Sequence, residues 1–208
     1  MAKTFYTQIK STIGQNTLFN LTMAAKANRS MTPGAVKEEM SRLVKKGQVK
    51  RLGYGVYIID SGKLDKEELE SKFIAFRYLG EGKNVCGFLY GENFVRALKG
   101  FPLAKTGLEI VTNKVTSGKK TIFQFGQRIT LRKPYVKVDS DNASLLAFLT
   151  YIGYADEEEI KRNFSVLANY VREEHLSAPE AIELLTSFPG RTAKALLGSG
   201  LYKLMWKH

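Results

Sequence analysis

Cysteine and histidine are almost missing from this 208-residue chain, which has one of the first, Cys86, and two of the second, His175 and His208. A single cysteine excludes an intrachain disulfide and any cysteine-rich zinc site, so a reducing, cytoplasmic setting is expected. Neither histidine stands in a ligand spacing such as HExxH, and both read as surface residues. Cys86 lies between Val85 and Gly87 with no histidine beside it, the setting of a core thiol rather than a nucleophile. Long apolar runs are missing too. The longest, LLAFLTYIGYA at 145–155, falls short of the roughly 20 residues of a membrane span. The opening MAKTFYTQIK has no apolar h-region, so a soluble, unprocessed protein without membrane contact is expected.

Other absences bear on chemistry. SGKKT at 117–121 ends like a phosphate loop, but the glycine required five positions before Gly118 is replaced by Asn113. The EEE run at 157–159 falls in the first turn of an expected helix, where the dipole favours negative charge, and this outweighs a metal site. Glu92 and Glu109 are the candidate carboxylates for an enzyme acting on nucleotides, and their spacing fits no catalytic template. The expectation is therefore no enzyme, no cofactor and no metal. There is no internal repeat and no low-complexity segment.

What is present is positive charge. Lys and Arg total 32 against 20 Asp and Glu, net +12, with a pI near 9.7. The excess is regional: residues 1–60 hold 10 basic against 3 acidic side chains, and residues 81–138 hold 11 against 3. Residues 61–80 balance, and 139–208 are mildly acidic. Such blocks favour a polyanionic partner over a merely solvated surface.

Along the chain, Phe5, Ile9 and Ile13 recur every four residues and predict a helix over 4–13, ended by Gly14. A second helix is expected over 17–27. A third opens with Thr32 as N-cap and Pro33 at the first helical position, buries Val36, Met40, Leu43 and Val44, and stops at Gly47. Val49, Leu52 and the VYII run at 56–59 then read as two strands around Gly53, Tyr54 and Gly55. Three short helices followed by a hairpin make a winged helix, in which the third helix can enter a DNA major groove while the hairpin lies along the backbone.

Beyond it, Asp65 and Glu68 have capping-box spacing at the start of a helix over 65–78, leading to a turn at 80–84. A helix at 91–99 and strands at 108–112, 121–125 and 127–132 follow, with the SGKK turn at 117–120 expected to form a second basic hairpin. The remainder reads as helices: 144–152, one capped by Asp156 with Glu159, one capped by Ser177 with Glu180, and an amphipathic stretch over 191–206. The expected fold class is α+β, an N-terminal winged helix-turn-helix followed by a mixed α/β domain ending in several helices. The expected divisions are 1–62, a connecting helix and linker over 63–84, and 85–208, with a basic part to 138 and a helical part from 139.

For nucleic acid, Arg29, Ser30, Thr32, Lys37, Ser41 and Arg42 are the candidates to reach base edges. Lys45, Lys46, Lys50, Arg51 and Tyr54 would touch the backbone and fix register. Lys114, Lys119, Lys120, Arg128, Arg132 and Lys133 form a second basic group that would add phosphate contacts. The competing reading is a winged helix used to bind a protein or RNA partner.

MTPGAVKEEMSRLVKKGQVKRLGYGVYII resembles the N-terminal winged helix of AbiEi-type antitoxins, and CGFLYGENFVRALKGFPLAKTGLEIVTNK with TIFQFGQRITLRKP is similar to the segment that follows in that family. The resemblance covers about residues 1–138. It implies a bacterial regulator that binds inverted repeats in its own promoter and represses a toxin-antitoxin operon. It further implies counteraction of a nucleotidyltransferase-like toxin without a stable complex, with 85–208 as the antitoxin domain. A monomer in solution, with more than one copy on the operator, is expected.

Overall fold

The computed structural model describes residues 4–80, 82–104 and 106–206, so His208 lies outside the described residues. Helix α1 (Phe5–Ile13) begins behind Thr4, whose hydroxyl accepts the Thr7 N–H. The second helix is shorter than the sequence suggests. Leu18–Phe19 form strand β1, and α2 (Leu21–Ala27) starts behind Asn20, whose side chain accepts the Met23 N–H at 3.0 Å. Leu18 fits a helical stripe equally well, but pairing with Ile58 gives it a sheet partner 40 residues away.

Helix α3 (Pro33–Lys45) has the cap and the proline where the sequence puts them, and buries Val36, Met40 and Leu43 while Val44 is partly covered. Its end is closed by Gly47, at φ +68, a left-handed position that a glycine adopts without strain. Gln48 donates its N–H to the Leu43 carbonyl and Gly47 to the Val44 carbonyl, both at 3.0 Å, which satisfies the last turn.

Strands β2 (Lys50–Gly53) and β3 (Val56–Ile58) join through Tyr54 and Gly55, both at positive φ, the two-residue turn that matches strand twist. The sheet order is β1-β3-β2, antiparallel throughout, so the apolar strand is central and the basic strand is at an edge. Tyr57 and Ile59 join Ile9, Phe19, Val36 and Met40 in one core. Helix α4 (Lys66–Ile74) follows, its first turn capped by Asp65 accepting the Glu68 N–H at 2.7 Å, and it runs on as a π-helical turn over Ala75–Leu79. Two compact units, Met1–Arg77 and Tyr78–His208, divide within that turn.

The second unit contains strand β4 (Gly87–Leu89), which no sequence pattern foretells, then α5 (Glu92–Leu98), β5 (Leu108–Thr112), β6 (Lys119–Gln124) and β7 (Gln127–Arg132). Its sheet order is β4-β5-β7-β6, with β5 and β7 parallel. The expected basic hairpin at 117–120 is therefore corrected. That segment leads from β5 to a strand that is not its neighbour, because β7 lies between them. The hairpin joins β6 to β7 and turns at Phe125 and Gly126, both at positive φ.

The helical layer comprises α6 (Ala143–Tyr154), α7 (Glu157–Arg162), α8 (Phe164–Glu173), α9 (Ala178–Leu185), α10 (Gly190–Ser199) and a 3-10 turn over Leu201–Trp206. All eight residues from Leu145 to Ile152 are buried, so this part of the long apolar run is a helix covered on every side, while Tyr154 near its end is exposed. Among the described residues no helix is long and apolar enough to cross a membrane. The helix expected behind Asp156 breaks at Asn163, whose amide donates to the Tyr151 hydroxyl and the Glu159 carbonyl. The terminal stretch breaks at Gly200. Of the two expected capping boxes, Asp156 with Glu159 is reciprocal, whereas Ser177 only accepts from the Glu180 N–H at 3.5 Å.

Candidate nucleic-acid interface

The buried stripe of α3 leaves Gly34, Glu38, Ser41 and Lys45 on the opposite face, with Lys37 and Arg42 at its flanks. All six are exposed. Lys37, Lys45 and Lys46 form no ion pair with any described residue, so their charge is available. Arg42 instead donates to Glu39 at 2.6 Å, an exposed pair of the kind that stabilises by about 0.5 kcal/mol. The Thr32 hydroxyl accepts the Ala35 N–H at 3.3 Å, and Ser30 donates its hydroxyl to Asn28 at 2.6 Å. These two candidates shape the entry to α3, and Arg29 is exposed beside them.

Successive strand residues face opposite sides, so Lys50, opposite Ile58, and Arg51, opposite Tyr57, leave the edge strand in different directions. The Lys50 ammonium is 3.9 Å from Asp60 at the rim of a shallow concavity of about 520 Å³ lined by Val44, Gly47, Val49 and Arg51. Tyr54 stands at the hairpin tip, 45% exposed, with the Arg77 guanidinium 6.0 Å from its ring centre. Glu38 escaped sequence reasoning because counting charges hides a lone carboxylate among lysines; the helical wheel of α3 places it mid-face.

The second basic group separates into four settings. Arg132 forms a bidentate pair with Glu109, at 3.0 and 3.2 Å, and its guanidinium lies 4.4 Å from the Tyr90 ring centre. Lys119, opposite Arg132 in register, is 3.9 Å from the same carboxylate. Burial pushes the Tyr90 phenol above its ordinary pKa, against the pull of Arg132. Lys120 points to the other face of β6, beside Leu131, while Lys114 and Lys133 lie in the connecting loops. Arg128, exposed on β7, stands opposite Phe123.

Comparison with protein-family models, with curated proteins and with solved structures finds no match to this chain. The case for function rests on the residues themselves.

The remaining candidates fall into structural settings. Cys86 is partly buried and donates its thiol to the Tyr78 carbonyl at 3.5 Å. His175 is exposed, in a left-handed position after α8. Glu157 and Glu158 pair with Lys161 at 2.8 and 3.3 Å, which lowers the Glu157 pKa and raises that of Lys161. Glu92 pairs with Arg96 at 3.7 Å while Glu109 is held by Arg132. Among the described residues no three His, Cys, Asp or Glu side chains could hold a metal.

Proposed function

We propose that the chain is a winged-helix repressor that binds double-stranded DNA upstream of its own gene, as the antitoxin of a bacterial toxin-antitoxin system. The element order α1-β1-α2-α3-β2-β3, with β3 central, supports the winged-helix reading. The observation that carries DNA binding is the set of cations Lys37, Lys45, Lys46 and Arg51, which form no ion pair with any described residue, around the exposed side of α3 and the edge strand. Those charges contact phosphate and fix register, while Glu38 and Ser41 are aligned to read base edges, a carboxylate accepting from cytosine N4. The antitoxin reading is supported by the ordered pair of motifs over 1–138. On it, the protein opposes a nucleotidyltransferase-like toxin without forming a stable complex, and acts as a monomer that loads more than once on repeated sites.

The test is a titration against duplex DNA from immediately upstream of the gene beside a scrambled duplex, at two salt concentrations. A preference of about a thousandfold or more is expected of a specific binder. Lys45→Ala with Lys46→Ala weakens both duplexes alike, whereas Glu38→Gln acts on the upstream duplex alone. Equal affinity for the two duplexes sinks the repressor reading. It would favour the second reading, a module that docks on a protein or RNA partner; of these the mid-face Glu38 speaks for a protein, because it repels phosphate.

A further inference from the structure

One face of the second unit's sheet is covered where Phe88 of β4 and Val111 of β5 join the helical core. The same face is open along the edge strand β6 and at Arg128 of β7, while Thr130 in the middle of β7 is buried. By register, the exposed Lys119, Thr121 and Phe123 of β6 stand opposite Arg132, Thr130 and Arg128 of β7. Phe123 is 75% exposed, more than any other large apolar side chain among the described residues. At the far end of the face the Arg132 guanidinium lies over the Tyr90 ring, 4.4 Å from its centre, with its side chain 31% exposed. We propose that this open sheet face binds a short single-stranded nucleic-acid segment, by stacking unpaired bases on Phe123 and beside the Arg132–Tyr90 pair while Lys119 and Arg128 contact phosphate.

An isolated exposed aromatic is unremarkable by itself. Here the ring stands opposite Arg128 and four residues along β6 from Lys119, in a block of residues carrying 11 basic against 3 acidic side chains, so a base-bearing polyanion satisfies both the ring and the charge. Unpaired bases expose the π-faces such a ring needs, whereas a duplex stacks its bases on one another and offers the ring none. Phe123 and Lys119 are four residues apart on one strand, about 13 Å, room for the two or three bases that aromatic residues on a four-stranded sheet can stack. Glu109 does not repel the strand, because the bidentate Arg132 neutralises it.

The proposal is independent of the winged-helix reading and is tested on the full chain with labelled ten-nucleotide oligo-U and oligo-dT and the upstream duplex. Oligo-U or oligo-dT binds, and Phe123→Ala weakens that binding roughly five- to 150-fold, the effect of losing one stacked base. The salt slope stays unchanged in that variant because no charge is removed, and duplex affinity also stays. Phe123→Trp retains binding and quenches tryptophan fluorescence on addition of the oligonucleotide. Arg128→Ala makes the slope shallower by about 0.7, one single-strand phosphate contact. The relative affinity for the two sugars identifies the natural strand. No binding of either oligonucleotide, equal binding by Phe123→Ala, or an equal loss on duplex overturns the proposal, whatever the outcome of the operator titration.

Discussion

Thr32 shows how one side chain can serve the helix rather than the ligand. Its hydroxyl holds the Ala35 N–H, so Thr32→Ala is expected to cost about 1 kcal/mol of stability in urea unfolding, while Thr32→Ser, which keeps the cap, changes it little. A loss of DNA affinity in the alanine variant that the serine variant does not share then reports on α3's start, not on base reading. Tyr170 carries a pH signature of its own. Burial, with Glu174 nearby, pushes its phenol up to about 12, and its hydroxyl donates to the Ser144 carbonyl at 3.2 Å. The folded chain thus holds this proton more tightly than the unfolded chain between the ordinary value of 10 and about 12. That stabilisation is complete below pH 10 and is lost as pH rises through about 12. Tyr170→Phe is expected to melt below the parent at pH 8, with the gap narrowing steadily towards pH 12. A gap that stays constant across this range would refute the shift.

At the scale of elements, α6 and α10 pack tightly where Gly153 meets Thr192. A Cβ at Gly153 would stand 2.4 Å from the Thr192 hydroxyl oxygen, and Thr192 is almost fully buried, so the side chain has little room to retreat. Arg191, one residue earlier, donates to the Gly153 and Tyr154 carbonyls and fixes the start of α10 on the end of α6. Alanine improves helix propensity by about 1 kcal/mol over glycine, but overpacking costs about 1–3 kcal/mol, so Gly153→Ala should lower the melting temperature. Thr192→Ala in the same chain removes the obstructing oxygen. The double variant is therefore expected to lose less than the sum of the two single losses, and simple additivity would show that the two helices are not in this contact.

The whole molecule is electrically uneven, with its positive charge in residues 1–60 and 81–138 and a mildly acidic remainder. If Lys37, Lys45, Lys46 and Arg51 each neutralise one phosphate, the logarithm of duplex affinity falls against the logarithm of salt with a slope of roughly −3 to −4. Replacing Lys45 and Lys46 with alanine should make that slope shallower by about 1.8. Affinity measured at four or more salt concentrations checks both numbers, and an unchanged slope would remove these lysines from the interface. Arg132 is not included in this set because Glu109 already holds its charge.

The limits of α3 were legible because each signal is local: Thr32 caps a turn three residues on, Pro33 needs no partner, and Gly47 closes carbonyls within five residues. The bounds of β5 and β7 were legible for a similar reason, since alternation and flanking turns lie within the strands themselves. By contrast, β1 and β4 are two and three residues long and exist through Ile58 and Val111, far along the chain, so no local pattern marks them. The parallel pairing of β5 with β7 likewise decided that the SGKK segment is no hairpin. Sequence determined where the cations are; tertiary structure decided which are free. Arg132 is neutralised by a carboxylate 23 residues away, Lys50 and Arg51 are sent to opposite faces, and Phe123 is left bare because β6 is an edge strand. Local signals act across one turn of chain, whereas the availability of a charge or a ring depends on which distant strand comes to lie beside it.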